Sequence, residues 1–457
     1  MMAVQIATYT ALKIILGLIG LGVVVFVHEL GHFLAARLVK IDVEAFSIGW
    51  GNPILKKKVG MVEYRLGMFP FGGYCKMKGE TDYNEAWDNM RKGIMPESGS
   101  YLAASPAARI LVSFAGPFFN LVFAVLLLSI IWGAGFEVNT LENRVVLASE
   151  INPAETYPAD DAGIKTGDRI IGINGQKISY YHEIHESTTL NPNKPLDMTI
   201  ERDGEILSVS VTPSLDKSTG AGRIGVLFWA DPVIENVKDG STAQRSGLLP
   251  GDTIVSANGQ TIRNSADIRK IIDQKPESLV LEYTRNGLNG EAVFGAEDLE
   301  HELGFSWKMI HYRTPNLSFP AAVAKGVSEG FNNLAVYIKS LRLLFMGIDL
   351  TKAVSGPVRI TYMMGDVAAQ SFEQGLGAGL RSIMEFVAII SIALFVMNLL
   401  PLPILDGGMI ILFLVELIRR KPAHPKVISI FQTCGMVIIF CLFVFAIFGD
   451  ILFFVHK

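Results

Sequence analysis

Four stretches of this chain are apolar for longer than a soluble helix needs, and nothing else limits its fold as much. They run from Ala11 to Val39, Ile110 to Phe136, Ile383 to Ile418 and Val427 to Val455. A helix of about 20 apolar residues crosses the hydrocarbon core of a bilayer, so each stretch is long enough to span. The third is too long for one straight span and is interrupted by Leu400-Pro-Leu-Pro-Ile-Leu-Asp-Gly-Gly408. A broken or strongly bent helix is expected there, and such a break is tolerated at membrane depth only where it packs on protein or lines a cavity. The first run exceeds the roughly 7–15-residue core of a cleaved signal peptide. It also carries His28, Glu29 and His32 near its end, so it reads as a span.

Charge sets the orientation. Only 18% of residues are charged, against about 25% in soluble chains. The net charge of −4 gives no reason to expect nucleic acid as a partner. The segment 37–109, with Lys56-Lys57-Lys58, holds 11 basic and 8 acidic residues, and Arg419-Arg420-Lys421 follow the third run. Both read as cytoplasmic, and 138–320, with 17 basic and 26 acidic residues, as the outer side. Three scattered cysteines, Cys75, Cys434 and Cys441, build no disulfide framework.

The outer region contains a repeat. Gly167-Asp168 and Asn174-Gly175 recur as Gly251-Asp252 and Asn258-Gly259, 84 residues on, each pair enclosing a short apolar strand. Asn-Gly suits a tight hairpin. The pattern resembles the PDZ domain, which implies two small strand-rich modules at 138–221 and 222–314. Such modules can take an extended peptide by strand addition, here along Val145-Val-Leu147 or Arg223–Phe228; equally, they serve as spacers or size filters. Beyond them, Val323, Val327, Phe331, Leu334, Ile338 and Leu341 recur at spacings of three and four, an amphipathic helix over Phe319–Met346. It is expected on the outer membrane face, on the membrane core or on the second module. The organisation is thus 1–137, two modules, a juxtamembrane segment 315–380, and 381–457.

The chemistry lies in His28-Glu-Leu-Gly-His32. Residues four apart share a helix face, so two imidazoles can grip one metal with Glu29 beside its water. Zinc suits His nitrogen, and a catalytic zinc takes three protein ligands and leaves a position open. Ionisable residues inside an apolar span are costly and mark function. Asp406, just past the proline break, is the candidate third ligand; it would also cap the helix that follows.

His-Glu-x-x-His in a first span, joined to Asn398-Leu-Leu-Pro401-Leu-Pro403-Ile-Leu-Asp406-Gly407 in a later one, resembles the site-2 intramembrane metalloproteases. Ala115-Gly-Pro-Phe-Phe-Asn120 is similar to another element of that family, and Ser355-Gly-Pro-Val-Arg-Ile360 with the PDZ pair narrows the likeness to a bacterial branch. The resemblance implies a polytopic α-helical membrane protein with four transmembrane helices, a membrane-associated β-hairpin and two periplasmic PDZ domains. It implies Zn2+ held by His28, His32 and Asp406, and Glu29 as the base. Asn398 would contact the substrate backbone and steady the oxyanion, Asn120 would contact substrate, and Pro401 would hold the loop open for it. Arg65–Lys76, with Gly72 and Gly73 at its turn, would be the hairpin that pairs with substrate. The implied setting is the bacterial inner membrane, amid lipid. The implied substrates are single-span proteins, namely anti-sigma factors after a first cut and signal-peptide remnants. Two other classes stay open on the residues alone, a PDZ scaffold with a structural metal and a metal transporter; only proteolysis needs Glu29 as a base.

Overall fold

The computed structural model describes residues 2–80, 97–217, 219–299, 303–343, 356–373 and 375–455. They divide into two compact units, one drawn from both ends of the chain and the other from Glu137–Arg313.

The first unit contains four helices long and apolar enough to cross a membrane: Ile14–Leu38, Pro106–Ala134, Leu376–Asn398 and Lys426–Val455. The second span begins sharply. Ser105 accepts a hydrogen bond from the Ala108 N–H at 3.2 Å, and Pro106 occupies the first turn, where its missing N–H costs nothing. This span lies between the first span, the third span and a further helix, Asp406–Arg419. The long third apolar run is indeed broken: its helix stops at Asn398 and a new one starts at Asp406. Arg109 of the second span reaches Glu416 of that new helix at 2.7 Å, lying over the Phe413 ring, and Glu416 also accepts from the Ala423 N–H at 2.8 Å. In the last span, buried Asp450 accepts from the N–H groups of Gly356 (2.8 Å), Val358 (3.1 Å) and Arg359 (3.1 Å). It thereby caps the helix Pro357–Glu373, giving the Gly-Pro-Val-Arg element a structural reason. Ser355 of that element lies outside the described residues.

One expectation changes and another narrows. The hairpin turns at Gly60-Met61, between strands Val43–Val59 and Val62–Met77, so Gly72-Gly73 sits inside a strand. Gly72 adopts a φ of +89° there, which bends the strand and lets 63–66 and 73–77 pair with opposite sides of 45–48. Residues 73–77 pair only with 43–48 among the described residues, and so form a sheet edge. The amphipathic helix, Phe319–Leu343 as described, packs on the second and third spans in this same unit. Residues 344–346 lie outside the described residues. Its buried stripe is Ala322, Gly326 and Gly330, whereas Val327, Phe331 and Ile338 are exposed. Lipid rewards no burial of large apolar groups, and small residues let helices approach closely.

The second unit repeats one design. Strands Gln176–Lys177, Arg169–Ile173, Leu196–Arg202 and Glu205–Val211 form an antiparallel sheet in that order. Gln260–Thr261, Thr253–Ala257, Ser278–Arg285 and Leu288–Gly295 form its counterpart. Each copy adds a nine-residue helix, Tyr181–Thr189 or Ser265–Asp273, and a one-turn helix, Pro158–Asp161 or Thr242–Arg245. The two Asn-Gly turns have both φ values positive, at 49° and 77° in one and 47° and 75° in the other, as a hairpin turn requires. The repeated aspartates do more than turn the chain. Buried Asp168 holds the Arg202 guanidinium at 2.8 and 2.7 Å and accepts from the Lys165 N–H. Buried Asp252 does the same with Arg285 at 2.6 and 2.7 Å and with the Leu249 N–H. Each carboxylate holds its guanidinium above the usual arginine range. The strand Val226–Phe228, placed by the sequence division in the second module, pairs with Val145–Leu147 of the first. The two segments named as separate peptide-binding edges therefore bond to each other, because each needs a partner for its backbone.

Removing one member of a buried, hydrogen-bonded ion pair costs about 3–5 kcal/mol. Asp252→Asn is accordingly expected to speed amide hydrogen exchange in Thr253–Ala257 and Ser278–Arg285 by at least about 100-fold. Asp267→Asn, which breaks an exposed pair with Arg263, should change it by less than about tenfold.

Candidate metal centre

His28 and His32 are one turn apart near the end of the first span, and their rings meet edge to face with centroids 4.7 Å apart. Their Nε2 atoms are 3.1 Å apart. Asp406, at the first turn of the helix after the break, places Oδ2 at 3.3 Å from His28 Nε2 and Oδ1 at 3.4 Å from His32 Nε2. Asp406 is the first helical residue rather than the cap; Leu405 holds the cap position with no side-chain bond. A tetrahedral ion with bonds of about 2.0–2.1 Å separates its ligand atoms by about 3.3–3.4 Å. Each nitrogen lies at about that distance from one or the other Asp406 oxygen, and one ligand atom from each residue lies within 4.8 Å of the others, so this triangle of donors fits a zinc-sized ion with its fourth position open.

The surrounding chain explains why they meet. His32 Nδ1–H donates to the Val112 carbonyl at 2.8 Å, which leaves Nε2 with its lone pair toward the triangle. Gly116 on the second span leaves room for it: a Cβ there would stand 2.2 Å from His32 Nε2. On the third side, Ile404 holds a φ of 78°, costly for a β-branched residue. A Cβ on Gly408 would fall 2.1 Å from the Leu402 carbonyl. The loop between the two helices is thus folded down on the first turn that carries Asp406.

A cavity of about 430 Å3 opens on the triangle, lined among others by Glu29, Trp50, Gly73, Glu80, Asn398 and Ile404. Glu29 follows His28 and faces the cavity together with Cys75 of the edge strand. Gly73 lies so close that a Cβ would sit 3.0 Å from Glu29 Cγ. Trp50 Nε1–H donates to the Gly73 carbonyl at 3.1 Å. Glu80 accepts from the Met77 N–H at 3.2 Å, and burial holds its carboxyl above the usual range. Of the residues named from sequence, His28, Glu29, His32, Asp406, Asn398 and Gly73 line the cavity; Asn120, Pro401 and Gly72 do not. Sequence reasoning missed Val112, which acts through its backbone, and Trp50 and Glu80, which lie near no motif. Gly116 was within reach, since it belongs to the Ala115–Asn120 element.

Residues 16–442 match peptidase family M50. The chain belongs to peptidase family M50. A protein of Treponema pallidum named "Putative zinc metalloprotease" is 36% identical over 97% of this chain and 100% of its own length. One of the same name from Borreliella burgdorferi is 30% identical, covering 96% and 98%. The "Regulator of sigma-E protease RseP" of Escherichia coli is 27% identical, covering 95% and 97%.

Gly116→Ala tests the packing around the donors. Metal affinity, titrated on the purified full chain in detergent, is expected to fall about 10- to 100-fold, as for lost outer-shell support, with helix content unchanged by circular dichroism.

Proposed function

We propose that this M50 peptidase is a zinc-dependent intramembrane protease that cuts a peptide bond in or beside the membrane-spanning segment of single-span proteins. The observation that carries the reading is the donor triangle of His28, His32 and Asp406 with Glu29 beside it, opening on a cavity bordered by a sheet edge. The names of the relatives supply the metal. A scaffold's structural site would be closed by a fourth ligand; among the described residues, the cluster has three. A base held next to the donors has no use in a transporter.

Zinc, when bound, supplies Lewis acidity and brings a water to a pKa of about 7. Glu29 takes the proton of the attacking water and delivers it to the leaving amine. Asn398, at the end of the third span and on the cavity wall, donates to the oxyanion. A helical substrate hides its peptide bonds, and lipid cannot satisfy backbone groups freed by unwinding. The edge strand 73–77 can: Gly73 directs its carbonyl at Trp50, and Gly73 and Cys75 both line the cavity. An extended segment paired there lies against the base. Pro401 and Pro403 keep the loop before Asp406 from closing into helix across this space.

The two strand modules are read as periplasmic PDZ domains that exclude substrates with bulky outer parts. In the first, Tyr181 donates to the Val226 carbonyl at 3.1 Å, so a partner already meets the free side of that strand. That favours a filter over a peptide clamp. Basic flanks put the active site toward the cytoplasm of a bacterial inner membrane. Anti-sigma factors after a first cut and signal-peptide remnants fit as substrates, in an envelope stress response.

Cleavage of a reconstituted single-span anti-sigma fragment tests the chemistry. Glu29→Gln should lower the rate by at least about 100- to 10,000-fold with zinc retained, and Asp406→Asn should lose zinc as well. Cleavage that persists in clean Glu29→Gln protein would refute the mechanism. Deleting 138–313 should admit a full-length substrate that the intact chain rejects; continued rejection would remove the filter.

A further inference from the structure

We infer that Asn120 is a positioning residue: it accepts a hydrogen bond from His28 Nδ1–H and so turns the His28 Nε2 lone pair toward Asp406. This rests on the zinc protease reading above. It gives Asn120 a task different from touching substrate.

Asn120 is 0% exposed, in the middle of the second span, and lies outside the cavity lining. A substrate in the cavity does not meet it. Its amide stands 3.4 Å from His28 Nδ1 through Nδ2, while Oδ1, wholly buried, has no partner. The two ends of a carboxamide occupy nearly the same space, and their assignment follows from the hydrogen-bond network. The network decides here. His28 Nε2 is one of the three donors of the triangle, so in the metal-binding form the ring is neutral and carries its proton on Nδ1. That N–H needs an acceptor, and the Asn120 amide is within reach when its oxygen faces the ring. Turned so, the amide gives the orphaned oxygen a donor and the ring a fixed tautomer.

The two histidines then show one plan with different parts. His32 Nδ1–H is held by a backbone carbonyl, that of Val112, at 2.8 Å. His28 is held by a side chain two helical turns further along the same span, Asn120. Both acceptors belong to the second span, so a single helix sets the orientation of both imidazoles.

The test is zinc affinity of the full-length chain in detergent, by competition with a chelator, for wild type, Asn120→Leu and Asn120→Asp. Asn120→Leu keeps the size and loses the acceptor; its zinc dissociation constant should rise about 10- to 100-fold. Asn120→Asp restores an acceptor and should return affinity to within about threefold of wild type. Asn120→Leu protein that binds zinc as wild type does, or Asn120→Asp no tighter than Asn120→Leu, overturns the assignment. Nitrogen-15 NMR of histidine-labelled, zinc-loaded wild type is a second readout that needs no variant to fold. A protonated, slowly exchanging His28 Nδ1 is expected, and a His28 bound to metal through Nδ1 would overturn the inference. Wild type that binds no zinc would refute the metal reading itself, and this inference with it.

Discussion

An ionisable side chain inside an apolar helix must find a partner, and this chain places two imidazoles and a carboxylate there. A carboxylate costs on the order of 2.5–3.5 kcal/mol at the centre of a span. The cost is met by bringing all three to one point, and most of the surrounding structure follows from that meeting. The second span must lie close enough to offer the Val112 carbonyl and the Asn120 amide. It can do so because Gly116 carries no side chain. The later helix must start, rather than continue, where Asp406 stands, so the helix before it ends at Asn398 and the loop folds back over Gly407 and Gly408. Away from the centre, Arg109 and Glu416 tie the second span to that same helix.

The hairpin meets the metal centre through the base. Cys75 lines the cavity beside Glu29, and Gly73 lies against the Glu29 stem. The strand edge proposed to take up an unwound backbone is therefore the wall beside the proposed base. The strand and the carboxylate are thus in packing contact at Gly73. The Trp50 indole occupies the Gly73 carbonyl on the same edge, so an added strand takes over a bond that the protein makes for itself in its absence.

The two units solve packing by different means, because their solvents differ. In the strand modules, water drives Ile170, Met198 and Ile200, and likewise Ile254, Leu279 and Phe294, out of contact with solvent. A buried carboxylate with its own guanidinium then locks each sheet. Along the helix Phe319–Leu343, Val327, Phe331 and Ile338 face outward and the close approach to Ser129 and its neighbours on the second span is made by Ala322, Gly326 and Gly330.

The spans, the broken third run, the repeated hairpins and the donor set were legible in the sequence. They depend on apolar length, on turn chemistry and on the rarity of charge in lipid, all of which are local. The periodicity of Phe319–Met346 was legible too, but its direction was not, since a hydrophobic stripe says nothing about whether lipid or protein lies opposite. Gly72-Gly73 read as a turn because glycine is needed both where a chain reverses and where a strand bends; only pairing to 43–48 distinguishes these. Arg202 and Arg285 stand 34 and 33 residues beyond their aspartates, and no short pattern joins them. Which residues are proposed to carry the chemistry follows from residue type and spacing. Which backbone carbonyl, amide and strand edge hold them was decided by tertiary structure, because those groups are common to every residue and acquire a role only through the neighbour that the fold places beside them.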